Sequence, residues 1–232
     1  MRSAKSVGRI IGILLFVQLA GLTVPFILLM PAATPEYLGV AAGMAFEIKM
    51  AVFLLFVNAV VTMSIAVAGF PVFRDHGIRF ALCLLAASVV WFVMQAVDNA
   101  NILSMLSFSR QYAESAGANA DLFRIVGAEI RATRVWIHYT ELFVIDVWFA
   151  LFYGVLLRFA LVPRWLAGFG ILAVILHTVG IPLAFFIGYS SLIPLAFSLA
   201  ISHVAIGGRL LAKGFPEKAC SDSSRNTPIP GV

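Results

Sequence analysis

Six apolar runs punctuate this chain, at residues 10–30, 48–69, 80–107, 135–157, 165–188 and 191–212. Each is long enough to cross a bilayer as a helix, which takes about 20 predominantly apolar residues. The connections between them are short and hold most of the charged side chains. The pattern predicts an all-α fold, an integral membrane protein whose residues 1–213 form a bundle of six transmembrane helices. The third run is overlong, so its helix is tilted or leaves the hydrocarbon at one end. The first run follows Arg2, Lys5 and Arg9 but exceeds the 7–15 apolar residues of a signal-peptide core, so it reads as a retained helix. Pro25 and Pro182 interrupt helical runs and predict kinks there.

Only one outer connection is sizeable, residues 108–134. Within it Leu122, Val126 and Ile130 recur at helical spacing, which fits either a short surface helix or an extension of the fourth span. From Gly214 onward Pro, Ser, Asp and Asn dominate, so residues 214–232 read as a disordered cytoplasmic tail.

Composition changes the picture only by strengthening it. The chain is 62% hydrophobic and 12% charged, about half the charge of an ordinary soluble domain, so lipid must solvate most of it. The net charge of +5 carries no basic stripe with interleaved aromatics, which excludes nucleic acid as a partner. Cys83, inside a span, and Cys220, in the tail, predict no disulfide. The charges orient the bundle instead. Arg2, Lys5, Arg9, Arg74, Arg79, Arg158, Arg164, Arg209, Lys213, Lys218 and Arg225 fall on one side, and only Lys49, Arg110, Arg124, Arg131 and Arg134 on the other. The positive-inside rule then makes both termini cytoplasmic, with Tyr37, Trp136 and Tyr189 at the outer interface and Trp165 at the inner one.

Against this apolar background three ionisable residues stand near mid-span: Asp146, His177 and His203. At 1.5 Å per residue each lies about 17–18 Å from the outer end of its helix, where an ionisable group is costly and marks a functional site by default. Gln18, Asn58 and Gln95 fall at about 15–18 Å on the first three spans. Gly170, Ala173, His177, Gly180 and Ala184 share one stripe, and Ala196, Ala200, His203 and Gly207 another. Small residues so spaced let helices approach closely, so the two histidines are expected to face protein and to meet. Asp146 has no such stripe.

The trio reads as interhelical hydrogen bonding, as a centre binding a proton or small ligand, or as bis-histidine ligation of haem or metal. No cofactor is indicated beyond that last alternative, and no motif assigns a metal. A second, shallower polar group comprises Asp98, Asn99 and Asn101 with Glu47, Lys49, His138 and Glu141. His138 and Glu141, three residues apart, share a helix face and with Asp98 make either a metal site or a wet vestibule. Gly8-x-x-x-Gly12 is a helix-pairing pattern of low specificity, compatible with a homo-oligomer. Nucleophile elbow, phosphate loop, His-x-x-x-His and paired-Cys motifs are absent, which disfavours the familiar catalytic classes. The leading reading is a multi-pass protein binding or conducting protons or a small ligand at mid-membrane. The alternatives are a non-catalytic membrane-organising protein and a metal-dependent membrane enzyme.

The run Leu161-Val-Pro-Arg-Trp-Leu-Ala-Gly-Phe-Gly, the segment Leu211-Ala-Lys-Gly-Phe and the opening Gly8-Arg-Ile-Ile-Gly-Ile-Leu-Leu-Phe resemble the domain of unknown function 4386 family, bacterial multi-pass membrane proteins. The likeness spans about residues 8–215 and implies a bacterial inner-membrane location without implying an activity. Topology is directly testable. Alkaline phosphatase fused after Lys213 is expected to be inactive, and an active fusion would overturn the cytoplasmic assignment.

Overall fold

The computed structural model describes residues 3–115, 117–187 and 193–217. Tyr189 and nearly all of the tail lie outside them. The described chain is helical, with no strand. Six helices are long and apolar enough to cross a membrane: α1 (Ala4–Leu29), α3 (Ala45–His76), α4 (Ile78–Glu114), α5 (Ala120–Arg158), α6 (Arg164–Ile187) and α7 (Ile193–Lys213). A short helix α2 (Tyr37–Val40), flanked by two 3-10 turns, lies between α1 and α3. The helices run through Pro25 and Pro182, and α3 also contains Pro71.

Each spanning helix packs on the next in chain order, and α7 returns to α1, closing a ring. The start of α1 meets the end of α7, so both described ends lie on one side of the bundle. That seam depends on glycine. A Cβ on Gly12 would stand 2.6 Å from the Leu211 backbone nitrogen and 2.8 Å from the Gly207 carbonyl oxygen, and one on Gly8 would collide with the backbone of Gly214 and Phe215. The Gly8-x-x-x-Gly12 pattern therefore serves a crossing inside the chain.

The ring is filled mainly by α5, whose apolar stretch is 50% buried, compared with 28% for α1. Aromatic residues four apart on α5 form two ladders: Trp148 stacks on Phe152 (5.3 Å, 11°) and Phe149 on Tyr153 (6.1 Å, 12°). Large rings at i, i+4 suit this role because they lie one above the other on the helix surface.

At about 55–58 Å, α4 and α5 exceed a hydrocarbon core of about 30 Å. Their far ends form a helical hairpin beyond it, braced by contacts of Phe123 with Phe108 and Tyr112. Residues 121–131 thus continue the fourth span. The α1–α3 connection folds over this hairpin. Tyr37 donates its hydroxyl hydrogen to the Gly127 carbonyl (3.1 Å), Ser109 Oγ donates to the Leu38 carbonyl (2.8 Å), and Leu38 packs where Gly127 has no side chain. Tyr37 is consequently buried, a different place from the interfacial belt expected of it, while Trp136 and Trp165 are exposed.

The α1–α7 seam gives a sharp prediction. Gly12→Ala should cost about 1–3 kcal/mol by overpacking, read as a lower thermal midpoint of the detergent-purified protein. Gly208→Ala, where a Cβ meets nothing within 4 Å, should leave the midpoint unchanged.

Candidate functional site

The polar residues of the interior separate into two groups by depth, and α5 contributes to both. Toward mid-membrane, Asp146 faces α6. His177 Nδ1 lies 2.8 Å from Asp146 Oδ1, and Thr178 Oγ1 donates to Oδ2 at 2.7 Å. Two consecutive residues of α6 thereby occupy both oxygens of one carboxylate. Asp146 and His177 are only 2% and 6% exposed. With the carboxylate ionised, His177 carries its hydrogen on Nδ1.

Seven residues along the same face of α5, Tyr153 begins a second array. Its hydroxyl lies 2.7 Å from His203 Nδ1, and His203 Nε2 lies 2.9 Å from Gln18 Oε1. Gln18 Nε2 donates to Thr62 Oγ1, which donates in turn to the Asn58 carbonyl. The acceptor role of Gln18 Oε1 places the His203 hydrogen on Nε2, so Nδ1 accepts from Tyr153. Every bond then points the same way, from α5 through α7 and α1 to α3. Phe149 packs edge-on against His203 at 5.2 Å. Asn58 ends the array: its side-chain nitrogen and oxygen have no hydrogen-bond partner among the described residues, and Gly21 leaves space for it.

His177 and His203 thus face protein, as their small-residue stripes imply, yet belong to separate arrays, with no hydrogen bond or ring contact between them among the described residues. Gly170, on the His177 stripe, accommodates the Tyr153 ring, which would stand 2.9 Å from an added Cβ. The stripe serves an aromatic residue of α5.

The second group sits nearer the α4–α5 hairpin. Arg134, His138 and Glu141 fall at i, i+4 and i+7 on one face of α5 and meet Asp98 of α4. Arg134 Nε lies 3.2 Å from Asp98 Oδ1 and its Nη2 donates to Oδ2 at 3.3 Å. His138 Nδ1 lies 3.3 Å from Glu141 Oε2 and 3.8 Å from Asp98 Oδ2, and Trp91 donates to Glu141 Oε1 at 3.1 Å. Asn99 turns aside, accepting from Gln95 and donating to the Val52 carbonyl. Asn101 bonds its own helix at Val97, and Glu47 and Lys49 are exposed, so these three do not join the cluster. A cavity of about 20 Å³ beside Arg134 is large enough for about one water.

Ligand atoms of Asp98, His138 and Glu141 all lie within 4.8 Å of one another, a donor set suited to a borderline divalent cation. Arg134, however, is already ion-paired with Asp98, with a hydrogen bond to Oδ2, and a guanidinium beside a divalent cation is repulsive. One of the cluster's two carboxylates is thus already offset by a fixed cation.

Chain patterning alone left Tyr153, Thr178, Arg134 and Trp91 out of these groups. The usable signal was register on α5: Tyr153 follows Asp146 by seven residues, and Arg134 precedes Glu141 by seven.

A family model described as a domain of unknown function (DUF4386) matches residues 6–214. No curated protein and no solved structure matches the chain.

The Asp98 cluster yields a stability prediction. Arg134→Met strands the Asp98 carboxylate and should destabilise the protein by about 3 kcal/mol. Adding Asp98→Asn should restore much of that loss, measured as a double-mutant cycle in reversible detergent unfolding; additive losses would mean that the pair is not coupled.

Proposed function

We propose a function from the site itself, since this chain belongs to the DUF4386 family, whose description is a domain of unknown function. The proposal is that Asp146 and His177 form a proton-exchanging pair at mid-membrane, in a protein of the bacterial inner membrane with both termini cytoplasmic. The observation that carries it is the 2.8 Å contact between a buried carboxylate and a buried imidazole. One hydrogen bond holds such a pair together whether the proton resides on oxygen or on nitrogen, so the pair accepts and returns a proton without repacking. Thr178 fixes the other carboxylate oxygen and keeps Asp146 aimed at His177.

The surroundings support a route through that pair. Arg134, His138, Glu141, Asp146 and Tyr153 punctuate α5 over a rise of about 28 Å, close to the thickness of a hydrocarbon core. Rises of about 7 Å from Glu141 to Asp146 and about 10 Å from Asp146 to Tyr153 interrupt the hydrogen bonding. Transfer therefore proceeds in gated steps, each needing a side-chain movement or an admitted water. His203, held on both sides by Tyr153 and Gln18, acts as the inner station. The 11-to-5 division of basic residues supports the cytoplasmic orientation.

A second reading has its own observation, the close donor set of Asp98, His138 and Glu141: a divalent cation bound there would make the protein a metal-dependent membrane enzyme. It requires Arg134 to withdraw from Asp98. Elemental analysis of the purified protein decides between the two, and one tightly held divalent ion per chain would favour this reading.

The proton reading is tested in proteoliposomes loaded with a pH-sensitive dye. Vesicles carrying the wild type should dissipate an imposed pH gradient faster than protein-free vesicles. Asp146→Asn and His177→Gln should bring the rate down to the protein-free level while retaining the helical circular dichroism spectrum. A wild type no faster than empty vesicles, or an Asp146→Asn variant as fast as wild type, would sink it.

A further inference from the structure

On the side where α1 begins and α7 ends, an open pocket of about 360 Å³ separates the α5–α6 turn from the end of α7. One water needs only about 10–15 Å³ of such space, so the pocket has room for a group much larger than a single water. Three of its lining residues are cationic, Arg164, Arg209 and Lys213, and none is acidic. Among the described residues none of these three forms an ion pair. Arg209 Nη1 is buried without a hydrogen-bond partner, a costly state for a guanidinium nitrogen unless something completes it.

The backbone builds the pocket around these groups. α5 ends in a left-handed residue, Ala160 (φ 50°), with the Leu161 amide returning to the Leu156 carbonyl at 3.0 Å. Leu161 and Val162 then turn inward and Pro163 immediately precedes α6, whose first-turn amides, at Arg164 and Trp165, have no carbonyl partner within the helix. Opposite, Gly214 (φ 67°) ends α7 and lets the chain pass against Lys5, while Phe215 folds back onto Phe73. Trp165 is 75% exposed beside the pocket, as a residue at headgroup depth would be.

We propose that this pocket binds a phosphate group, carried by an anionic phospholipid headgroup or by a free phosphate. Arg209 supplies paired donors from within the bundle, Arg164 and Lys213 close over the anion from the rim, and the α6 amides add the positive end of a helix dipole. Basic pockets between spanning helices at the cytoplasmic face suit anionic headgroups for the same reason. The proposal is independent of the proton pair, which lies on other residues at another depth.

Native mass spectrometry of the full-length, delipidated protein tests it with three separate probes: dioctanoyl phosphatidylglycerol, dioctanoyl phosphatidylcholine and inorganic phosphate. A saturable one-to-one adduct is expected with phosphatidylglycerol or with phosphate, at least about tenfold tighter than with phosphatidylcholine. Phosphatidylglycerol without phosphate identifies a lipid site, and phosphate binding identifies a free-anion site. Arg209→Gln and the double variant Arg164→Gln/Lys213→Gln should each weaken the adduct about tenfold. The double variant alters exposed rim residues and carries the test if Arg209→Gln does not fold. Binding no tighter than phosphatidylcholine, or a folded variant of either kind with wild-type affinity, overturns the proposal.

Discussion

Within a bilayer there is no water to complete a polar side chain, so every such group must find a partner inside the protein. The interior of this bundle follows from that constraint. Asp146 is completed by His177 and Thr178, and His203 by Tyr153 and Gln18. Each interhelical bond contributes about 0.6 kcal/mol on average in such settings, a modest amount. Their larger effect is on register: a carboxylate that must meet two consecutive residues of α6 fixes both the height and the rotation of that helix. The array from Tyr153 to Thr62 does the same for four helices at once.

α5 is where these requirements converge. Its face carries the aromatic ladders that fill the ring, and the same helix presents Asp146, Tyr153 and, further out, Arg134, His138 and Glu141. Packing and chemistry are therefore not separable on this helix. The cluster near the α4–α5 hairpin is held by charge, with a guanidinium on Asp98, and the Asp146 and Tyr153 arrays by hydrogen bonds. Among the described residues, the buried atoms left without a hydrogen-bond partner lie in Asn58, at Gln95 Oε1 and Trp148 Nε1, at Asp98 Oδ1, and on the guanidinium nitrogens Arg131 Nε, Arg134 Nε and Arg209 Nη1; there the accounting does not close.

Much of the fold was legible in the sequence because span length and composition are dictated by the bilayer. That Asp146 and His177 share a height was legible too, since counting residues along a helix measures rise; His203, counted to the same height, instead meets Tyr153, about 10 Å further along α5. Partnership was not. A small-residue stripe reports how near two helices come, whereas the partner of a histidine depends on which long side chain from a third helix reaches it. Gly170 illustrates the difference, its missing side chain accommodating Tyr153 of α5. The segment 121–131 was ambiguous because an apolar face at helical spacing fits a membrane surface and a helix hairpin equally. Contacts distant in sequence decided it, through Tyr37, Leu38 and Gly127.

The closure of the ring by α7 on α1 also orders events during synthesis. α1 and α3 reach the membrane first and bring Gln18 and Thr62 with them, already able to bond each other. His203, which completes Gln18 Oε1, arrives only with the sixth span. A stalled or truncated chain therefore displays an amide oxygen to lipid and an uncovered glycine seam on α1. Membrane quality control would have a chemical mark by which to distinguish an unfinished copy from a finished one.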